Sequence, residues 1–100
     1  MLVHTTIRHD IDNCPGFDPE LRARAIEAYS KLDEVAEKFG VTIRALYNAA
    51  PDHVEYAVLE APDNMTLAFF FGEALPYKVD YETRVVADRA MLEELFAQTG

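Results

Sequence analysis

Residues 18–40, DPELRARAIEAYSKLDEVAEKFG, decide the fold of this chain, because they read as one amphipathic helix and fix how the segments on either side must be used. Leu21, Ala25, Ala28, Leu32, Val35 and Phe39 step by four and three, which places them on one helical face. Asp18 suits the N-cap, Pro19 the first helical position and Gly40 the C-terminal cap. Such an apolar stripe needs a second layer to cover it.

The flanking segments supply that layer. Residues 2–9, LVHTTIRH, alternate and read as a first strand. Residues 41–48, VTIRALYN, form a second, AAPD turns the chain, and residues 53–61, HVEYAVLEA, return as a third, a hairpin with a longer loop. Asp63 caps a short helix over residues 64–75, NMTLAFFFGEAL, whose apolar residues surround its axis and predict burial. Residues 77–86, YKVDYETRVV, are a fourth strand, and Asp88 caps a terminal helix with Met91, Leu92, Leu95 and Phe96 on its apolar side. The order β-α-β-β-α-β followed by a helix predicts one ferredoxin-like α+β domain over residues 1–100. Its sheet is antiparallel in the order 4-1-3-2, with both main helices on one face.

Strand parity assigns the two faces, since successive side chains point to opposite sides. The helix side is expected to hold Val3, Thr5 and Ile7 of strand one and Val41, Ile43, Ala45 and Tyr47 of strand two. Strand three adds Val54, Tyr56 and Val58, and strand four adds Tyr77, Val79, Tyr81, Thr83 and Val85. The second face then carries His4, Thr6, Arg8, Arg44, Glu55, Glu82 and Arg84 among apolar groups such as Leu46, Ala57 and Leu59. A mixed apolar and charged face suits a homodimer interface better than bare solvent.

The bulk properties exclude several classes of function. Nine Lys and Arg stand against eighteen Asp and Glu, a net charge of −9, and no basic stripe offsets it, so no nucleic-acid partner is expected. The longest apolar run, residues 67–71, is too short to cross a bilayer, and no signal-peptide pattern opens the chain. A lone cysteine rules out an intrachain disulfide, and a cytoplasmic protein is the expectation. No nucleotide-cofactor motif is present.

The second half, Leu59-Glu60-Ala61-Pro62-Asp63, a short helix and then Val79-Asp80-Tyr81-Glu82-Thr83, resembles the dimeric α/β-barrel superfamily. Small members of the GYD family look similar there, as do small nickel-binding ferredoxin-like proteins. The Gly-Tyr-Asp signature itself is absent, and Asp52-His53-Val54 stands in its approximate place. The resemblance implies two ferredoxin-like protomers stacked sheet against sheet. That superfamily includes cofactor-free monooxygenases, isomerases and haem enzymes, so the fold does not confer a reaction.

The chemistry-bearing residues gather at one edge. Strand one ends where the strand-three segment begins, so His9 and His53 are brought near each other, with Cys14 in the loop above. A thiolate and two imidazoles suit zinc, copper or nickel, and Asp10, Asp12 or Asp52 is available as an oxygen ligand. Parity places His9 and His53 on opposite sides, so they converge only if the strand twists or ends before His9. Otherwise His9 is a capped, partly buried residue, His53 a surface one and Cys14 a loop thiol.

Covalent catalysis by Cys14 is disfavoured, because Asp10, Asp12, Asp18 and Glu20 oppose a further negative charge. His4 faces either an anionic ligand or a dimer partner. Phe69, Phe70 and Phe71 read as core or as pocket lining. The leading expectation is therefore a homodimer that binds a metal or small ligand at His9, Cys14 and His53. The alternative is a cofactor-independent monooxygenase or isomerase acting on a small molecule between helices and sheet. A closed pocket of Tyr47, Tyr56, Tyr81 and a histidine would favour that second expectation.

Overall fold

The computed structural model describes residues 1–75 and 78–99. Strand β1 spans Leu2–Arg8, β2 Thr42–Ala49, β3 Val54–Glu60 and β4 Asp80–Val85. They form one antiparallel sheet in the order β2-β3-β1-β4, the predicted order read from the other edge. Of the segment read as a fourth strand, residues 80–85 pair and Tyr77 lies outside the described residues.

The long helix over residues 18–40 divides. Helix α1 is Pro19–Ser30 and α2 is Leu32–Phe39, with Lys31 between them outside helical geometry at φ −106° and ψ 1°. Its ends are as read: Asp18 accepts from the amides of Glu20 and Leu21, and Gly40 takes the left-handed φ of 67° that a side chain would resist. Helix α3, Asn64–Ala74, starts where the Asp63 carboxylate accepts from the Thr66 amide at 2.7 Å. The terminal helix α4 is Arg89–Thr99, and none of its described residues is buried. No helix among the described residues is long and apolar enough to cross a membrane.

The core lies between the sheet and α2 and α3. Val3, Ile7, Ala57, Leu59, Leu67, Phe70 and Phe71 are buried there, with Leu32, Val35 and Phe39 packed against them. Phe70 and Phe71 are core, while Phe69 on the same helix stays 59% exposed. Thr5, fully buried at the sheet centre, is satisfied by the hydroxyl of Thr83 at 2.9 Å.

Two strands depart from the expected facing. On β3 the helix side carries Glu55, Ala57 and Leu59, not Val54, Tyr56 and Val58, because they stand opposite Ile7, Thr5 and Val3. Register with the central strand overrides the local preference for the more strand-prone set. On β2 a bulge between Ile43 and Ala45 shifts the phase. Leu46 therefore follows Ile43 to the helix side, while Ala45 and Tyr47 turn to the second face. Tyr47 and Tyr56 pair there, 70% and 41% exposed, so the tyrosine-lined pocket of Tyr47, Tyr56 and Tyr81 does not form.

Candidate metal centre

The β1–α1 connection brings Cys14 over the sheet edge through local bonds. Asp10 accepts from both the backbone and side-chain amides of Asn13 at 3.0 and 2.9 Å, closing a 3-10 turn over Ile11–Asn13. The Cys14 carbonyl then accepts from the amides of Phe17 and Asp18, which leads into the α1 cap. Cys14 ends up 8% exposed, a buried loop thiol. Its Sγ would stand 3.4 Å from a Cβ added at Gly16, so this turn has little spare room beside the sulfur.

Convergence of the two histidines follows from where the strands stop. β1 ends at Arg8, which frees His9 from strand parity. His53 follows a 3-10 turn over Ala50–Asp52 and adopts φ 56° and ψ 40°, a left-handed conformation uncommon for a residue with a side chain. The His9 amide donates to the His53 carbonyl at 3.2 Å, and His53 Nδ1 lies 3.3 Å from His9 Nε2. The rings meet edge-on at 5.2 Å and 82°. Phe17, 69% exposed, lies 6.2 Å from the His53 ring.

His9, Cys14 and His53 thus offer two nitrogens and one sulfur, all within 4.8 Å of one another. Two imidazole nitrogens on a tetrahedral zinc ion stand about 3.3 Å apart, given zinc–nitrogen bonds of about 2.0–2.1 Å. That is the separation His9 and His53 hold. Burial, first, and the neighbouring His53, second, hold the His9 imidazole below its ordinary value, while Glu55 and Asp10 pull it upward more weakly. The net effect favours the neutral ring, the form a metal binds. Of the three aspartates offered as oxygen ligands, Asp10 is engaged in capping Asn13, and Asp12 and Asp52 are exposed. Three ligands leave a tetrahedral ion one open position.

The sequence reading missed three residues beside this cluster. Glu55, expected on the second face, is 4% exposed on the helix side. Its Oε1 accepts from the Tyr29 hydroxyl and from Asn48 Nδ2, the latter at 2.8 Å. A buried carboxylate held by two donors is an expensive arrangement that a solvated sheet face would not build. Tyr29 lies four residues beyond Ala25 on the buried side of α1, and that spacing was the available clue. Asn48 reaches Glu55 only through the β2 bulge, which the sequence pattern does not announce.

The fold has a solved counterpart. Muconolactone isomerase superposes with a TM-score of 0.53 over 89% of this chain and 91% of its own, at 23% sequence identity. The chain has its fold. That likeness places the four-stranded antiparallel sheet and its helices in a ferredoxin-like α+β fold and extends to the fold alone. No family profile matches the chain, and no curated sequence does.

Proposed function

We propose that this chain is a homodimeric metal-binding protein whose ion is held by His9, Cys14 and His53. The observation that carries this reading is the meeting of three ligand atoms within 4.8 Å, drawn from segments far apart in sequence. The donor set of one thiolate and two imidazoles suits zinc, copper or nickel rather than calcium or magnesium. Self-association is supported by the second sheet face, where Tyr47 and Tyr56 are exposed side by side, and by α4, with exposed Met91, Leu92, Leu95 and Phe96. Calorimetric titration of the chain and of Cys14→Ser with zinc, copper and nickel tests the site. Tight binding that collapses in the variant supports it, and equal, weak binding by both overturns it.

A second reading has one observation in its favour. Glu55 is a buried carboxylate at an apolar cavity between helices and sheet, where an isomerase or monooxygenase without a cofactor could work. Muconolactone isomerase shares the fold, which gives this reading weak support. Turnover of a lactone or related small molecule by metal-stripped protein would favour it over the first.

A further inference from the structure

Two spaces meet at Glu55. Beside the ligand cluster is an open recess of about 210 Å³, walled largely by small apolar groups of the β1–α1 loop and α1, with the polar groups of His9, Asn48, Tyr29 and Glu55 and the thiol of Cys14 set among them. Behind it, between sheet and helices, is a cavity of about 30 Å³ walled by Ile7, Leu32, Ile43, Leu46, Ala57 and Phe70, with Tyr29 and Glu55 again in its lining. Every other residue lining the inner cavity is apolar. Tyr29 and Glu55 are thus common to a recess that holds two of the three candidate ligands, His9 and Cys14, and an apolar cavity that holds none.

We infer that recess and cavity are the two halves of one site for a small amphipathic molecule. The inference rests on the metal reading of His9, Cys14 and His53. The molecule's neutral, oxygen-bearing head would take the open position on the ion and donate a hydrogen bond to Glu55. Its hydrocarbon tail would pass the Tyr29–Glu55 pair into the inner cavity. Both donors to Glu55 fall on Oε1, which leaves Oε2 to accept from a ligand. The inner volume limits the tail to a few carbons. A carboxylate head is disfavoured, because it would be brought against Glu55 in a chain of net charge −9. The ligand class is therefore a short-chain molecule with a protic, uncharged head.

The full chain loaded with cobalt provides the test, because a thiolate bound to cobalt absorbs in the near ultraviolet and reports changes at the ion. Acetamide, butyramide and butyrate are titrated against that band; an amide is neutral, offers one carbonyl oxygen to the ion and keeps an N–H to donate. The two methylenes that distinguish the amides should tighten binding about tenfold if they enter the apolar cavity. Butyrate should bind at least about tenfold more weakly than butyramide, since its head is charged and has no proton to donate. Ala57→Val, which adds bulk to the cavity wall, should abolish the difference between the two amides, and Glu55→Gln should weaken both. Should Ala57→Val not fold, the comparison in the unaltered chain decides by itself. A cobalt band with equal affinity for the two amides overturns this inference and leaves the metal reading standing. Absence of the band overturns both.

Discussion

His9 Nε2 and His53 Nδ1 stand 3.3 Å apart although the residues are separated by 44 positions in the chain. The approach is made by backbone, not by side-chain reach: the amide of one residue donates to the carbonyl of the other at the edge where β1 ends and β3 begins. Two imidazoles held this close cannot both be charged without mutual repulsion. The pair gains from an ion, or from one shared proton, in a way that two separated histidines would not.

The conformation of His53 bears on that point. A left-handed φ of 56° costs a residue with a Cβ about 1 kcal/mol or more relative to glycine. His53→Gly should therefore leave the metal-free protein as stable as the parent or slightly more stable, while zinc affinity falls by about tenfold or more. Urea unfolding and zinc competition on the same samples measure the two effects. Loss of stability in the metal-free glycine variant would show that the imidazole is structural.

The metal-free protein should lose stability on acidification through His9. Its folded value lies below its ordinary one, so the folded state binds that proton less readily than the unfolded chain does. The contribution is complete above the unfolded value of about 6.5 and is lost as pH falls through the folded value. Urea unfolding at pH 7.5 and 5.5 should therefore show a drop in the parent that shrinks in His9→Gln. An identical drop in both proteins would remove His9 from the account.

Packing makes a graded prediction. Phe70, 2% exposed at the centre of the core, should cost about 3–5 kcal/mol when replaced by Ala. Leu32 is only half-buried at the start of α2, so Leu32→Ala should cost about 2 kcal/mol, the low end for such changes. Denaturant midpoints at constant slope measure both. The reverse order would mean that α2 and α3 exchange importance in covering the sheet.

The second sheet face predicts assembly. Sedimentation at micromolar concentration should give about twice the chain mass of 11.3 kDa. A Tyr47→Glu, Tyr56→Glu double variant, which places like charges on opposed strands of the exposed face, should sediment as a monomer. A parent monomer at all concentrations, or an unaffected dimer in the variant, contradicts an interface through this face.

Much of the architecture was legible because capping and periodicity agree along the chain. Asp18, Gly40, Asp63 and Asp88 each cap where the sequence places them, and those stops define the segments between them. The break at Lys31 was not legible, since the apolar spacing runs on through it from Ala28 to Leu32. Nor was the facing of β3, where Val54, Tyr56 and Val58 look the better core set and register with Thr5 chooses Ala57 instead. The nearness of His9, Cys14 and His53 could be read from topology, because antiparallel pairing of β1 and β3 brings their ends together, but strand parity opposed convergence of the two rings and only the end of β1 at Arg8 resolves it. Glu55 could not be read, because its place depends on the parity that long-range pairing sets.

The central claim is tested most directly by X-ray absorption at the zinc edge of the zinc-loaded chain. One sulfur at about 2.3 Å and two imidazole nitrogens at about 2.0–2.1 Å, with the sulfur shell lost in Cys14→Ser, is the predicted result. A first shell made only of oxygen, unchanged in the variant, would contradict it and reduce the edge of the sheet to a buried thiol beside two hydrogen-bonded histidines.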